Sequence, residues 1–171
     1  MITLRCTAKV ARRFGLSLSP RESADTDSLL GDWYAHLYNF GPTRWVLCLN
    51  ETSNLPVLVR ARNADFPDKF PVQLGLVLRR IGVPPEHAAR ESMRSSEMHF
   101  GKTLSRSMLG SMNDMVFHMD YALDRWRNPV AAAADLADMP CRAPKYIYAR
   151  EVVFQRLGIP ELYVRKTIRL T

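Results

Sequence analysis

Residues 33–59 read WYAHLYNFGPTRWVLCLNETSNLPVLV, and this stretch decides the β half of the fold. Trp33 to Phe40 is rich in the aromatic residues that favour a pleated, half-buried surface. Gly41-Pro42-Thr43 supplies a turn, and Arg44 to Asn50 is a mostly apolar second strand of central character. Glu51-Thr52-Ser53-Asn54 makes a polar turn, and Leu55 to Val59 returns as a third strand. The spacing predicts an antiparallel meander. Ahead of it, Ile2 to Cys6 reads as a strand, and Thr7 caps a short helix that Gly15 stops.

Downstream the period changes from two to 3.6. Leu74, Val77, Leu78 and Ile81 mark a helix that ends at Gly82, and Pro84-Pro85 opens another that runs to about Met98. The longest helix is predicted near 105–126. Leu109, Met112, Val116, Met119, Leu123 and Trp126 recur three and four residues apart, and Met108, Met115 and Ala122 widen that stripe. Short helices follow over 131–139 and 150–157. A last strand is expected over 162–170, with Leu162, Val164, Ile168 and Leu170 on one face. The fold class expected is α+β. It comprises a small, mostly antiparallel sheet packed against several helices, in a single domain spanning 1–171.

The 171 residues are 47% hydrophobic and 24% charged, which excludes wholesale disorder. No apolar run reaches the roughly 18 to 20 residues needed to span a bilayer. The N-terminal MITLRCTAKVARRFG lacks the order of a signal peptide, so a cytoplasmic location is expected. Cys6, Cys48 and Cys141 are odd in number and far apart, which predicts buried thiols rather than a disulfide framework. The four histidines and three cysteines show no paired zinc spacing, so no metal and no cofactor is expected.

Net charge is +7 and it is concentrated at the ends. Residues 1–22 carry +4, residues 142–171 carry +5, and the middle carries −2. Lys9, Arg12 and Arg13 share one face of the first helix, and Arg165 and Arg169 share one face of the last strand. Basic ends of this kind are the footprint of a nucleic acid or another polyanion.

A second polar concentration runs from His99 to Asp114, HFGKTLSRSMLGSMND. Gly101-Lys102-Thr103 resembles the tail of a phosphate-binding loop. However, the glycine such a loop needs at position 96 is Ser96, and a charged helix stands where a strand belongs. What remains is an anion site at the start of the long helix, with Lys102, Thr103, Arg106 and Ser107 around free N–H groups. The competing reading is a capping hydroxyl with solvated cations. Farther along, Ser107, Ser111, Asp114 and His118 form a stripe beside the apolar one. Asp114 orienting His118 as a base, with Ser111 as nucleophile, is the catalytic reading; a polar seam against a neighbouring loop is the other. Asn113 and Asp114 favour caps and turns, so their mid-helix position marks a polar site.

The segments RCTAKVARR, LGDWYAHL, VLCLNETSNLPVLV, FGKT and RSMLGSMNDM together resemble an uncharacterised bacterial family, domain of unknown function 6933, over roughly residues 1–157. Leu104 departs from the polar residue expected at that position. The resemblance implies no catalytic role, cofactor or ligand for any residue. The function expected is non-enzymatic binding of nucleic acid or another polyanion. The alternatives are a small enzyme acting on a phosphorylated or nucleotide substrate, and a protein-interaction module of a toxin–antitoxin or phage-defence system.

Overall fold

The structure, a computed structural model, describes residues 1–20, 26–62, 65–141 and 147–160. Strand β1 (Ile2–Cys6) leads into helix α1 (Ala8–Phe14), which Gly15 ends at φ +64°. The meander follows as β2 (Trp33–Phe40), β3 (Thr43–Asn50) and β4 (Pro56–Arg60). Helices α2 (Phe66–Arg80) and α3 (Pro85–Arg94) precede a fifth strand, β5 (Met98–Lys102). Then come α4 (Arg106–Trp126), α5 (Pro129–Leu136), the two-residue strands β6 (Pro140–Cys141) and β7 (Ile147–Tyr148), and α6 (Ala149–Arg156). The strand expected over 162–170 lies outside the described residues.

The fold is α+β, but the main sheet is mixed rather than mostly antiparallel. Its order is β4-β3-β2-β1-β5. β2, β3 and β4 pair antiparallel as expected, while β1 runs parallel to both β2 and β5. The departure has two causes. α1 and the chain after it carry β1 across to a parallel β2, and Met98, near which a helix was expected to end, instead begins a strand that runs to Lys102. α3 stops at Arg94, and just beyond it the Ser96 N–H turns to the Met93 carbonyl at 3.1 Å, a tighter turn that no longer follows the helical pairing.

The sheet is covered on both faces. Ile2, Leu4, Cys6, Trp33, Ala35, Val46, Cys48, Val57 and Val59 meet α1, α2 and α6 on one face, with Trp33 edge-on to Phe70 at 5.2 Å. Tyr34, Tyr38, Leu47, Leu49 and Leu58 alternate onto the other face and meet α4. The buried stripe of α4 is Met108, Met112, Met115, Met119, Ala122 and Leu123. Leu109 and Val116 are only half-buried, and Trp126 is exposed. The stripe is therefore turned toward Met108 and Met115, which brings Ser111, Asp114 and His118 to its flank.

Each sheet edge has a neighbouring element among the described residues. α5 packs against β4, α2 and α4, with Ala133 and Ala134 entering one core and Ala132 and Leu136 the other. On the opposite edge Ser19 brackets β5, its N–H donating to Phe100 O and its carbonyl accepting from Lys102 N–H.

Candidate functional site

The stretch from His99 to Asp114 divides into parts with different jobs. His99 to Lys102 lies in β5, Ser105 caps α4, and only the residues from Ser111 onward line a pocket. The Ser105 Oγ accepts the Met108 N–H at 3.2 Å, which answers one of the free donors of the helix start. Lys102, Arg106 and Ser107 are exposed and Thr103 is half-buried. None of the four lines the pocket beside α4 or the basic groove at the other end of the sheet.

The pocket has a volume of about 180 Å³ and lies where α4 passes the β3–β4 turn. Ser111, Asp114 and His118 come from α4, spaced so that one flank of the helix faces the turn. Asn54 comes from the turn itself. Leu49, Met115, Met139 and Pro140 supply the apolar wall. Asn113 is exposed on the next position of α4 and lies outside this lining. Among the described residues no hydrogen bond joins Asp114 to His118, so the base-orienting contact of a triad is not made.

Asn54 was not among the residues the sequence singled out, and the turn explains how it gets there. Asn50 is fully buried, and its amide donates to the carbonyls of Leu30 at 3.0 Å and Asp32 at 3.2 Å. Its Oδ1 accepts from Ser53 N–H at 2.9 Å, Ser53 Oγ at 2.8 Å and Thr52 N–H at 3.2 Å. This pins the turn and leaves Asn54 in the left-handed region at φ +58°. Asn54 is 5% exposed, and its amide oxygen is buried without a hydrogen-bond partner.

At the other end of the sheet lies a basic groove. Lys9, Arg12 and Arg13 of α1, all exposed, face Tyr38, Asn39 and Arg44 of the β2–β3 hairpin across a cavity of about 490 Å³. A second concavity of about 310 Å³ shares Arg13, Asn39 and Arg44 and adds Arg60 and Arg62. Among the described residues no carboxylate lines either one. Arg13 is held in place by the carbonyls of Arg62 at 3.0 Å and Ala61 at 3.5 Å. Arg44 Nε donates to Asn39 Oδ1 at 3.3 Å, and Arg60 lies over the Trp45 ring at 5.8 Å. Burial, and then the charge of Lys9, holds the His36 imidazole below its usual range, so it adds no further cation near neutral pH.

Lys9, Arg12 and Arg13 were expected on one face. Arg44, Arg60 and Arg62 were not, although their positions at adjacent ends of paired antiparallel strands are a signal. Trp45 pairs with Arg60 across β3 and β4, so Arg44 and Arg62 must lie at the same end. Arg165 and Arg169 lie outside the described residues. Among the described residues no group of three or more His, Cys, Asp or Glu is placed to hold a metal ion, and no helix is long and apolar enough to cross a membrane.

The architecture defines an α+β domain with a five-stranded mixed sheet, a basic groove at one end and a small polar pocket at the other. Over residues 3–152 the chain matches the family described as domain of unknown function DUF6933, and it belongs to that family. No curated protein and no solved structure shows a significant match to it.

Proposed function

We propose that the protein is a nucleic-acid-binding protein that holds the phosphate backbone in the groove between α1 and the β2–β3 hairpin. The observation that carries this reading is the convergence of Lys9, Arg12, Arg13, Arg44, Arg60 and Arg62 on two adjoining concavities that no carboxylate lines among the described residues. None of these six cations forms an ion pair with an acidic side chain among the described residues. Unpaired cations gathered on one surface repel one another, so the arrangement costs stability in the absence of an anion. Five of the six are arginines, whose planar fork suits bidentate contact with phosphate oxygens. The backbone carbonyls that fix Arg13 and the ring beneath Arg60 preorganise two of them.

The contacts expected are to phosphate and so independent of sequence. Binding of a fluorescent mixed-sequence oligonucleotide, duplex or single-stranded, measured against salt concentration, tests the reading. With four to six phosphates neutralised, log K falls against log salt with a slope of about −4 to −5 for duplex and about −3 to −4 for a single strand. Arg13→Glu combined with Arg44→Glu abolishes binding. An affinity that is negligible at low salt, or equal in wild type and the double variant, refutes the proposal.

A further inference from the structure

We propose that the pocket between α4 and the β3–β4 turn binds a single planar ring of the nucleobase class, recognised by its polar edge and without its phosphate. Size, wall and polar groups agree on this. The volume of about 180 Å³ is close to the roughly 150 Å³ of a cavity that holds one benzene ring, and well below the range of about 300–1,000 Å³ that accommodates drug-sized ligands. Leu49, Met115, Met139 and Pro140 give the flat faces of a ring apolar partners, and the two thioethers suit contact with a π system.

The polar groups select the edge. The Asn54 side chain carries an acceptor and two donors, the pattern with which Asn pairs bidentately with a base edge. Asn54 is 5% exposed and its oxygen is without a partner, which makes the side chain costly where it stands. Asp114 adds an acceptor of the kind that takes an exocyclic amine, while Ser111 and His118 each offer a donor or an acceptor. Among the described residues no lysine or arginine lines the pocket, and an anionic ligand would meet the like charge of Asp114. The pocket and the basic groove touch β3 at Leu49 and Arg44, five residues and about 17 Å apart along the strand, and are separate sites.

The test is a titration of the full chain with free adenine, cytosine and uracil. It follows the His118 ring resonances by NMR and uses the methyl resonances of Met115 as a second reporter. At least one base is expected to shift both sets saturably. Asn54→Gly keeps the left-handed backbone while removing the amide, and together with Asp114→Asn it is expected to weaken that base by about tenfold or more, the effect of losing one well-made buried hydrogen bond. The inference is overturned if no base gives a saturable shift, or if a base binds Asn54→Gly as tightly as wild type.

Discussion

Gly101 stands opposite Arg5 across the parallel β1–β5 ladder, and the side chain it lacks leaves the space that the Arg5 guanidinium occupies. A Cβ at Gly101 would lie 3.4 Å from Arg5 Nη1 and 3.4 Å from Thr3 Cγ2, at the near limit of ordinary contact. Gly101→Ala is therefore expected to leave stability within about 1 kcal/mol of wild type, since the lost chain entropy of glycine offsets a small repacking. Gly101→Leu has no such room and is expected to cost about 1–3 kcal/mol by overpacking. Urea unfolding of the two variants separates these outcomes.

Arg5 in turn meets Asp32, Nη2 to Oδ2 at 3.3 Å, with side-chain exposures of 6% and 10%. Asp32 also accepts the Thr3 N–H at 3.3 Å, so one carboxylate ties the start of β2 to β1. Asp32→Ala removes this carboxylate from beside a buried guanidinium and from the Thr3 N–H, and is expected to be destabilising. Replacing both residues by apolar ones of similar volume, Arg5→Met with Asp32→Leu, is expected to recover most of that loss. Equal destabilisation in the single and double variants would show that the pair itself holds the strands together.

Burial pushes the Cys6 thiol up to about 12, and Cys48, fully buried, is pushed well above its ordinary value for the same reason. A thiol attacks as its thiolate, so neither residue is reactive in the folded state. In a Cys141→Ser variant, a thiol reagent at pH 8 is expected to label no cysteine until denaturant is added, and then to label both. Labelling of the native protein at the rate of a free thiol contradicts this packing.

The meander and α4 were legible because each is stabilised by contacts local in sequence, and the apolar pattern of each element states which face is buried. β5 was not legible for the opposite reason. Met98 and Phe100 do pack on one core with His99 between them, but the alternation spans only three residues before Gly101, which lowers strand propensity. The strand exists because β1 offers it a parallel partner far away in the chain, and parallel pairing leaves no turn signal. α2 begins at Phe66, earlier than its apolar period suggested. Pro67 fits the first turn, and the carbonyl of Pro71 is taken by Ser92 Oγ at 2.8 Å from α3. In the pocket, Ser111, Asp114 and His118 could be read from helical spacing, whereas Asn54 reaches them only through the sheet.

Asp120 is held above the usual carboxylate range by burial, and one of its oxygens is buried without a partner. It faces the Tyr38 phenol, which burial and then the Asp120 charge push upward. A carboxylate whose folded-state value is raised favours folding fully below its unfolded value, about 3.9, and loses that contribution as pH rises through the folded one. Asp120→Asn is therefore expected to raise the melting temperature at pH 7, with the gain shrinking as pH falls and absent near pH 3. A gain that is constant across this range would assign the effect to packing rather than to charge.

Asn54 joins a backbone requirement to a buried side chain whose oxygen has no hydrogen-bond partner, and two substitutions separate them. At φ +58° an alanine meets the steric cost of the left-handed region, roughly 1–2 kcal/mol for an ordinary L-residue, whereas Asn tolerates that region and glycine adopts it freely. Asn54→Ala and Asn54→Gly both lack the amide, so the alanine variant is expected to be about 1 kcal/mol less stable than the glycine variant. Asn54→Gly gives up part of this freedom to the unfolded chain, about 0.4–1 kcal/mol, but also removes a buried oxygen whose missing hydrogen bond costs about 1–3 kcal/mol. The glycine variant is therefore expected to be as stable as wild type or more so. Chemical denaturation curves for the three proteins decide the matter. If Asn54→Gly proves the least stable, the amide supports the fold and its burial needs no ligand. If it matches or exceeds wild type, the asparagine is retained at a cost to stability, as expected of a residue kept for binding.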